Sequence, residues 1–476
     1  MSYKEDAWTP KVKTADYDYL VEPVDGKYRA VAKDGEVLKE SVDAATVLQE
    51  ALNALTPNRA WYEKVVLKGE LNLQREITVP AYTRIRGGRI TGKGDFLIYD
   101  GYAAIEDVEF NVDNSYNACI FIYASNKTLE NVKVRNCRAV DCGRMLLIIS
   151  GTGTPKTVKN VTVKDCEAYN CGRYSRFNDW VTGYDCENAD LENVRFINCY
   201  AYRSWESGFH FGTAPTKKNV KLIGCISEYN GIDKASPTYA AGFLASAGIH
   251  LLGCISRGNA KCGYRIRPDK NDVVVLEDCK DYNSKDGLDI ASYDAGKTIL
   301  NNVTVFENTR YGIVALQTGN IFAKGLKIIN PTGDGSICTL LGSSTYPIHD
   351  CEFELYAWGG GSPNVIYTNG SSNLLFKGYI NTTQTYPFKN VGGTNVKALF
   401  LHGSYVTKRM FTATIPANQT SVTVAHGLSA TPTKVIVTPR GNIGSVWVSA
   451  RDATNITINC STAPTTDTVV DVEAEV

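Results

Sequence analysis

The chain of 476 residues is short of several features that would declare a function. It has no net charge: fifty Lys and Arg balance fifty Asp and Glu. No global field therefore draws it to nucleic acid or to a membrane, and an acidic partner has to be read by a local patch. It has no long apolar run, and stretches such as Met145–Ile149 are far too short to span a bilayer. The opening "MSYKEDAWTPK" lacks the apolar core of a signal peptide. That leaves a chain that stays in the cell, one released by lysis or a special route, or one whose leader has been removed. No nucleotide-binding glycine loop, haem motif or serine elbow is visible. Fourteen cysteines are present, but none forms a C-x-x-C pair or a Cys/His group with zinc spacing, so no metal site is expected.

The cysteines mark a repeat instead. "ENVKVRNC" ends at Cys137, "KNVTVKDC" at Cys166, "ENVRFINC" at Cys199, "KNVKLIGC" at Cys225, "GIHLLGC" at Cys254 and "VVVLEDC" at Cys279, in steps of 29, 33, 26, 29 and 25 residues. Leu300–Asn308 continues the series without a cysteine. Periods of this length indicate a solenoid. Each unit opens with a strand of period-two alternation, passes through polar turn residues and reaches a second short strand that begins with glycine. The second strands align as Gly183–Glu187, Gly208–Gly212, Gly242–Ser246, Gly263–Arg267, Gly287–Ala291 and Gly312–Leu316. Positions two and four are apolar in every copy and point inward, so three and five point outward. Units this short, rich in Gly, Asn, Val and Tyr, fit no helix. The fold expected is all-β: a right-handed parallel β-helix with one buried cysteine per coil. The N-x-T matches at Asn160 and Asn302 lie at strand starts and read as turn residues.

Residues 1–40 read as a leader or attachment segment, with "DGKYRAVAKDGE" as a hairpin. "SVDAATVLQEALNAL" (Ser41–Leu55) has a helix-start signal and apolar spacing of three and four, which suits a cap over the first coil. The β-helix is expected over 41–404. Residues 405–476, with short strands and Thr, Pro and Gly turns, read as a C-terminal β-sandwich.

Stacking the second strands places Asp185, His210, Leu244, Arg265 and Asp289 in one outward column, and Glu187, Gly212, Ser246 and Arg267 in its neighbour. Coils lie ~4.8 Å apart and residues i, i+2 on a strand ~6.6 Å apart, so Asp185, Glu187 and His210 share a patch with Arg265 and Arg267 nearby. Two insertions, Gly172–Thr182 and Gly231–Ala241, should rise as walls. They bring Arg173, Arg176, Asp179, Trp180 and Tyr239, groups suited to sugar rings and acidic substituents. Asp185, Glu187, His210 and Arg265 are the catalytic candidates. Arg267, Asp289, the four wall residues 173, 176, 179 and 180, Tyr239 and Tyr184 are the substrate-contact candidates, although the register turns Tyr184 inward. Outward groups take no part in core packing, so substituting them is expected to cost only about 0.5 kcal/mol.

The β-helix region, about three quarters of the chain, resembles the pectin-lyase-like superfamily of polysaccharide lyases, glycoside hydrolases, epimerases and viral tailspikes. Gly183-Tyr184-Asp185-Cys186-Glu187-Asn188 is similar to the G-F-D-P-H-E strand of mannuronan epimerases, with Glu187 where that motif has histidine. Gly208-Phe209-His210 and Arg265-Ile266-Arg267 resemble the G-H-G and R-I-K elements of polygalacturonases, whose N-T-D and D-D signatures are absent. The helix-then-strand opening resembles that of pectate-lyase-like and tailspike β-helices, and the C-terminal module resembles those of phage tail fibres. The resemblance implies a polysaccharide partner, an extracellular or virion-surface location and a homotrimer, with no nucleic-acid partner. No cofactor is expected, with calcium left open.

Arginines near the patch favour a uronate-containing polysaccharide, processed by lyase or epimerase chemistry with His210 as acid–base. The alternatives are hydrolysis by Asp185 and Glu187, whose ~6.6 Å strand spacing sits at the lower edge of the ~6.5–9.5 Å inverting range, and a viral or cell-surface fibre that binds glycan without chemistry.

Overall fold

The computed structural model describes residues 16–476 apart from 114–117, 152–155, 173–180, 213–215, 235–238, 247, 269–271, 292–295, 317, 330–336, 344, 359–363 and 382–387. The solenoid is a parallel β-helix. Its repeat has three strands where two were expected. One coil runs through Thr157–Lys164, Glu167–Tyr169 and Tyr184–Glu187, and each strand pairs in parallel with its counterpart one coil on: Val163 with Phe196, Ala168 with Ala201, Cys186 with Phe211. The additional strand is the three residues after each repeat cysteine, too short to show a period in sequence.

The corner before that strand explains the residue ahead of each cysteine. Asn136, Asp165, Asn198, Gly224, Gly253 and Asp278 have φ between 49° and 61°. Asn, Asp and Gly tolerate this left-handed conformation best. The thirteen cysteines with described side chains are all buried and free of disulfides. In the repeat, each thiol donates to the carbonyl two residues back, as Cys137 does to Arg135 (3.2 Å) and Cys166 to Lys164 (3.3 Å). Asn160 and Asn302 are also left-handed turn residues. Their side-chain amides donate to Asn131 and Asp278 on the preceding coil.

Among the described residues, the second strands form a separate 13-stranded sheet. The seven that matter here are β1 (Arg144–Ser150), β2 (Tyr184–Glu187), β3 (Phe209–Phe211), β4 (Ala241–Ser246), β5 (Cys262–Arg267), β6 (Asp286–Ala291) and β7 (Tyr311–Leu316). Inside the coil, Tyr184, Phe209, Phe243 and Tyr264 stack nearly parallel with centroids 4.7, 5.0 and 5.2 Å apart. Aromatic stacking of this kind adds about 0.5–1.5 kcal/mol per pair beyond burial, and it fixes the register of the outward column above. The glycine that opens each strand leaves room for the neighbouring sheet: a Cβ at Gly208 would lie 2.0 Å from Ser227 Oγ, and one at Gly263 2.2 Å from Asp281 Oδ1.

At the N-terminal end, Tyr19–Val24, Lys27–Ala32 and Val37–Ser41 form an antiparallel meander. Its first strand also pairs in parallel with Glu63–Leu67 of the first coil, so this segment is continuous with the solenoid sheet. Helix α1 (Ala44–Asn53) is capped by Asp43, which accepts from the Ala45 and Thr46 amides. Its apolar face joins the solenoid core, and Gln49 bonds the backbone of Thr78 on both sides. After the last solenoid strand, Thr394–Gly403, two three-stranded antiparallel sheets enclose a small core of their own.

Candidate functional site

The pairing of β2 through β7 matches the sequence register residue for residue. Asp185 pairs with His210, His210 with Leu244, Leu244 with Arg265, and Arg265 with Asp289. The floor of a cavity of about 630 Å³ carries Asp185, Glu187, His210, Leu244, Arg265 and Arg267, with Tyr239 beside them. That volume falls in the range of small-ligand sites.

At one end of the floor, His210 Nδ1 lies 3.0 Å from Asp185 Oδ1 and 3.1 Å from Glu187 Oε1. Arg144 Nε donates to the other Asp185 oxygen at 2.8 Å. Expected to be solvent-facing, Asp185 and His210 are only 2% and 3% exposed. They do leave the strand on its outer side, but they pack against each other, Arg144 and Glu187. Glu187 keeps partial access, with 24% of its side chain exposed.

Gly212 makes this arrangement possible. It follows β3 at the position next to Glu187, and a Cβ there would lie 2.1 Å from Glu187 Oε1 and 2.5 Å from its Cδ. The Glu187 carboxyl therefore lies flat across the glycine and reaches His210. It comes nearer to Asp185 than the strand repeat alone implies: Asp185, Glu187 and His210 each bring one ligand-capable atom within 4.8 Å of the others. Arg144 sits beside this group, so a cation there would add to an existing positive charge. The trio reads more naturally as a hydrogen-bonded acid–base system.

The local fields separate the two carboxyls. Burial works to raise the Asp185 pKa, but His210 and Arg144 outweigh it and hold the group below its usual value. Burial pushes Glu187 up; the Asp185 charge adds to this, and the pull of His210 and Lys217 does not cancel it. For His210 burial opposes the charged form, yet Asp185, Glu187 and Glu206 together raise its pKa. Two acids with pKa values pushed apart suit one proton donor and one permanent anion.

At the other end, Arg267 donates to Asp289 Oδ1 (2.9 Å) and to the Asp289 carbonyl (2.8 Å). Arg265 lies 3.9 Å from Asp289 and stacks over the Tyr239 ring at 4.7 Å. Asp289 holds the arginines and does not line the cavity.

Tyr184 requires a correction. Its ring is fully buried in the aromatic stack and its hydroxyl donates to the Tyr200 carbonyl, so it makes no contact with the cavity. Arg173, Arg176, Asp179 and Trp180 lie outside the described residues. Sequence reasoning missed Arg144 and Lys217, and it put Gly212 in the column beside Glu187 without the role it plays there. Carrying the register one coil back would have brought up the strand Arg144–Ser150, with Leu147 and Ile149 in the two columns and Arg144 three residues ahead of Leu147. Lys217 has no such signal: its Nζ donates to the Gly212 and Ser246 carbonyls and to Ser246 Oγ, tying two coils together beneath the floor. A second buried pair, Glu206 and Lys234 at 3.7 Å, was missed as well.

No protein-family profile matches the chain, and no curated protein matches its sequence. Solved structures do resemble it. The tailspike protein of E. coli bacteriophage HK620 in complex with a pentasaccharide shares 11% identity over 94% of this chain and 92% of its own, with a TM-score of 0.49. The Dettilon tailspike protein shares 10% over 90% of each chain, with a TM-score of 0.42. The tailspike protein of Pseudomonas phage LKA1 shares 13% over 86% of this chain and 66% of its own, with a TM-score of 0.38. In fold, the chain is a parallel β-helix protein similar to phage tailspikes.

Proposed function

We propose that the protein is a glycan-degrading fibre that cleaves an acidic polysaccharide by glycoside hydrolysis, with Glu187 as the proton donor. The observation that carries this reading is the paired carboxyls with opposite pKa shifts on one cavity floor. Glu187, partly accessible and biased toward its neutral form, gives its proton to the leaving oxygen. Asp185 stays ionised against Arg144 and His210 and stabilises positive charge developing on the sugar, after which a water adds to the sugar carbon and returns a proton to Glu187. Their close approach favours the short carboxyl spacing of retaining enzymes over the inverting spacing expected from the strand repeat.

A second reading is β-elimination or epimerisation of a uronate. It is supported by Arg265, whose head stacks on Tyr239 over the cavity and can hold a carboxylate. In that case Glu187, ionised, takes the proton from the carbon beside the carboxylate; in elimination the glycosidic C–O bond then breaks and a proton passes by way of His210 to the leaving oxygen, and in epimerisation a proton returns to the opposite face of that carbon. Incubation with acidic and neutral polysaccharides separates the readings. New reducing ends without ultraviolet absorbance indicate hydrolysis, absorbance from an unsaturated product indicates elimination, and binding with neither indicates a non-catalytic fibre.

The solved HK620 structure holds a pentasaccharide, and the tailspike likeness supports a place on a virion surface and a homotrimer. Light scattering at the monomer mass across micromolar concentrations would count against the trimer.

A further inference from the structure

We infer that the site sheet continues past the cavity as a binding lane for an anionic polysaccharide, built by Lys261, Lys285 and Arg310 beside Arg265 and Arg267. This rests on reading the cavity as a glycan site. Cys262, Asp286 and Tyr311 lie in register on β5, β6 and β7. The residue before each is Lys261, Lys285 and Arg310, so three cations stack along one edge of the sheet. The backbone ladder agrees: the Asp286 amide donates to the Lys261 carbonyl, and the Arg310 amide to that of Lys285. At ~4.8 Å per coil, this edge spans roughly 10 Å.

The charge does not cancel. Residues 260–268, 284–291 and 308–316 hold five cations, at 261, 265, 267, 285 and 310, against two acids, Asp286 and Asp289, an excess of three. Both acids act as anchors. Asp286 is 1% exposed and receives Arg310 on both carboxylate oxygens, with Lys261 at 3.8 Å. Asp289 holds Arg265 and Arg267. Each anchor fixes two cationic heads and neutralises one charge, while Lys285 is exposed. The upstream end differs: Arg144 and His210 face Asp185 and Glu187 there, without surplus. Because the whole chain is neutral, attraction to a polyanion has to come from a local patch, and this strip supplies one beside the cavity. The lane is continuous with the cavity through Arg265 and Arg267, which belong to both. A chain with acidic groups on sugars beyond the reacting one therefore fits better than a neutral chain.

The test is native gel electrophoresis at neutral pH and low salt in gels carrying polygalacturonate, alginate or hyaluronate. Carboxyl-reduced polygalacturonate serves as the neutral control. All proteins carry Glu187→Gln, so that cleavage does not alter the gel. The expected result is retardation by an acidic glycan and not by the reduced one. Lys261→Gln/Lys285→Gln/Arg310→Gln should weaken apparent binding about tenfold or more, since each charge-assisted contact is worth about that much. Lys285→Glu, at an exposed position, should weaken it in the same direction and guards against misfolding of the triple variant. Failure of all three acidic glycans to retard the protein, unchanged retardation in both variants, or equal retardation by double-stranded DNA would overturn the lane. Retardation by a glycan that the unsubstituted protein never cleaves would keep the lane and remove the hydrolase reading.

Discussion

The two ends of the site sheet use the same positions of the same repeat and do opposite things with them. At the β2–β3 end, Asp185 and His210 are sunk to a few percent exposure and bonded to each other. At the β5–β6 end, Arg265 and Arg267 keep 13% and 21% of their side chains exposed, and Asp289 restrains them. Beneath both ends runs the same aromatic stack. The inward positions secure the coil and leave the outward ones free to vary. One scaffold can therefore carry an acid–base group and, a few coils on, a surface for charge. The acid–base end should be sensitive in both stability and rate, the cationic end in binding.

The largest expected effect tests that division. On a glycan the protein cleaves, Glu187→Gln should lower the rate about 100- to 10,000-fold while thermal stability barely moves. A wild-type rate would remove Glu187 from the chemistry and leave the two ends equivalent. Next in size, Asp185→Ala strips the buried partner from Arg144 and His210. Removing one member of a buried ion pair typically costs about 3–5 kcal/mol, far above the 0.5 kcal/mol expected for an outward side chain. Denaturant unfolding decides it, and a change under about 1 kcal/mol would mean that the cluster behaves like a surface pair.

That difference shows what the sequence carried and what it did not. The strand register was legible because glycine, alternating apolar residues and cysteine recur at fixed offsets, and it placed Asp185, His210 and Arg265 in one column. Their burial was not legible. It depends on Arg144, from a strand that has Met145 where the next coil opens with Gly183, and on Glu187 folding over Gly212, both matters of side-chain direction. The third strand escaped because three residues are too few to show alternation. Tyr184 was drawn into the site by its neighbours in sequence, although strand alternation alone places it inside.

A third test looks beneath the cationic end. Asp281 is fully buried under Gly263, accepts from Ser284 Oγ and Asn308 Nδ2, and burial pushes its pKa up to about 7. The folded state therefore keeps a proton that the unfolded chain, near the ordinary value of about 3.9, gives up sooner. Stability should fall as pH rises from about 4 to about 7 and then level off, by up to about 4 kcal/mol from this group. Asp281→Asn retains an acceptor without the charge, so the stability difference between variant and wild type should grow over that window. A constant difference across it would mean that Asp281 is ionised in the fold.

The smallest effect is the most telling about the cationic end. Asp289→Asn removes one of its two negative charges without removing volume. The pairs it breaks are part-exposed, so the stability cost should stay within about 1 kcal/mol. Binding should move the other way. With Asp289 neutral, Arg265 and Arg267 lose the carboxylate they share, and retardation in an acidic-glycan gel should increase severalfold, more so at low salt, where screening is weak. Weaker retardation would mean that Asp289 matters chiefly by aiming the arginines and that geometry, more than charge, limits binding. The contrast with Asp185 is then direct: an aspartate in the same column costs folding when removed at one end, and restrains binding at the other.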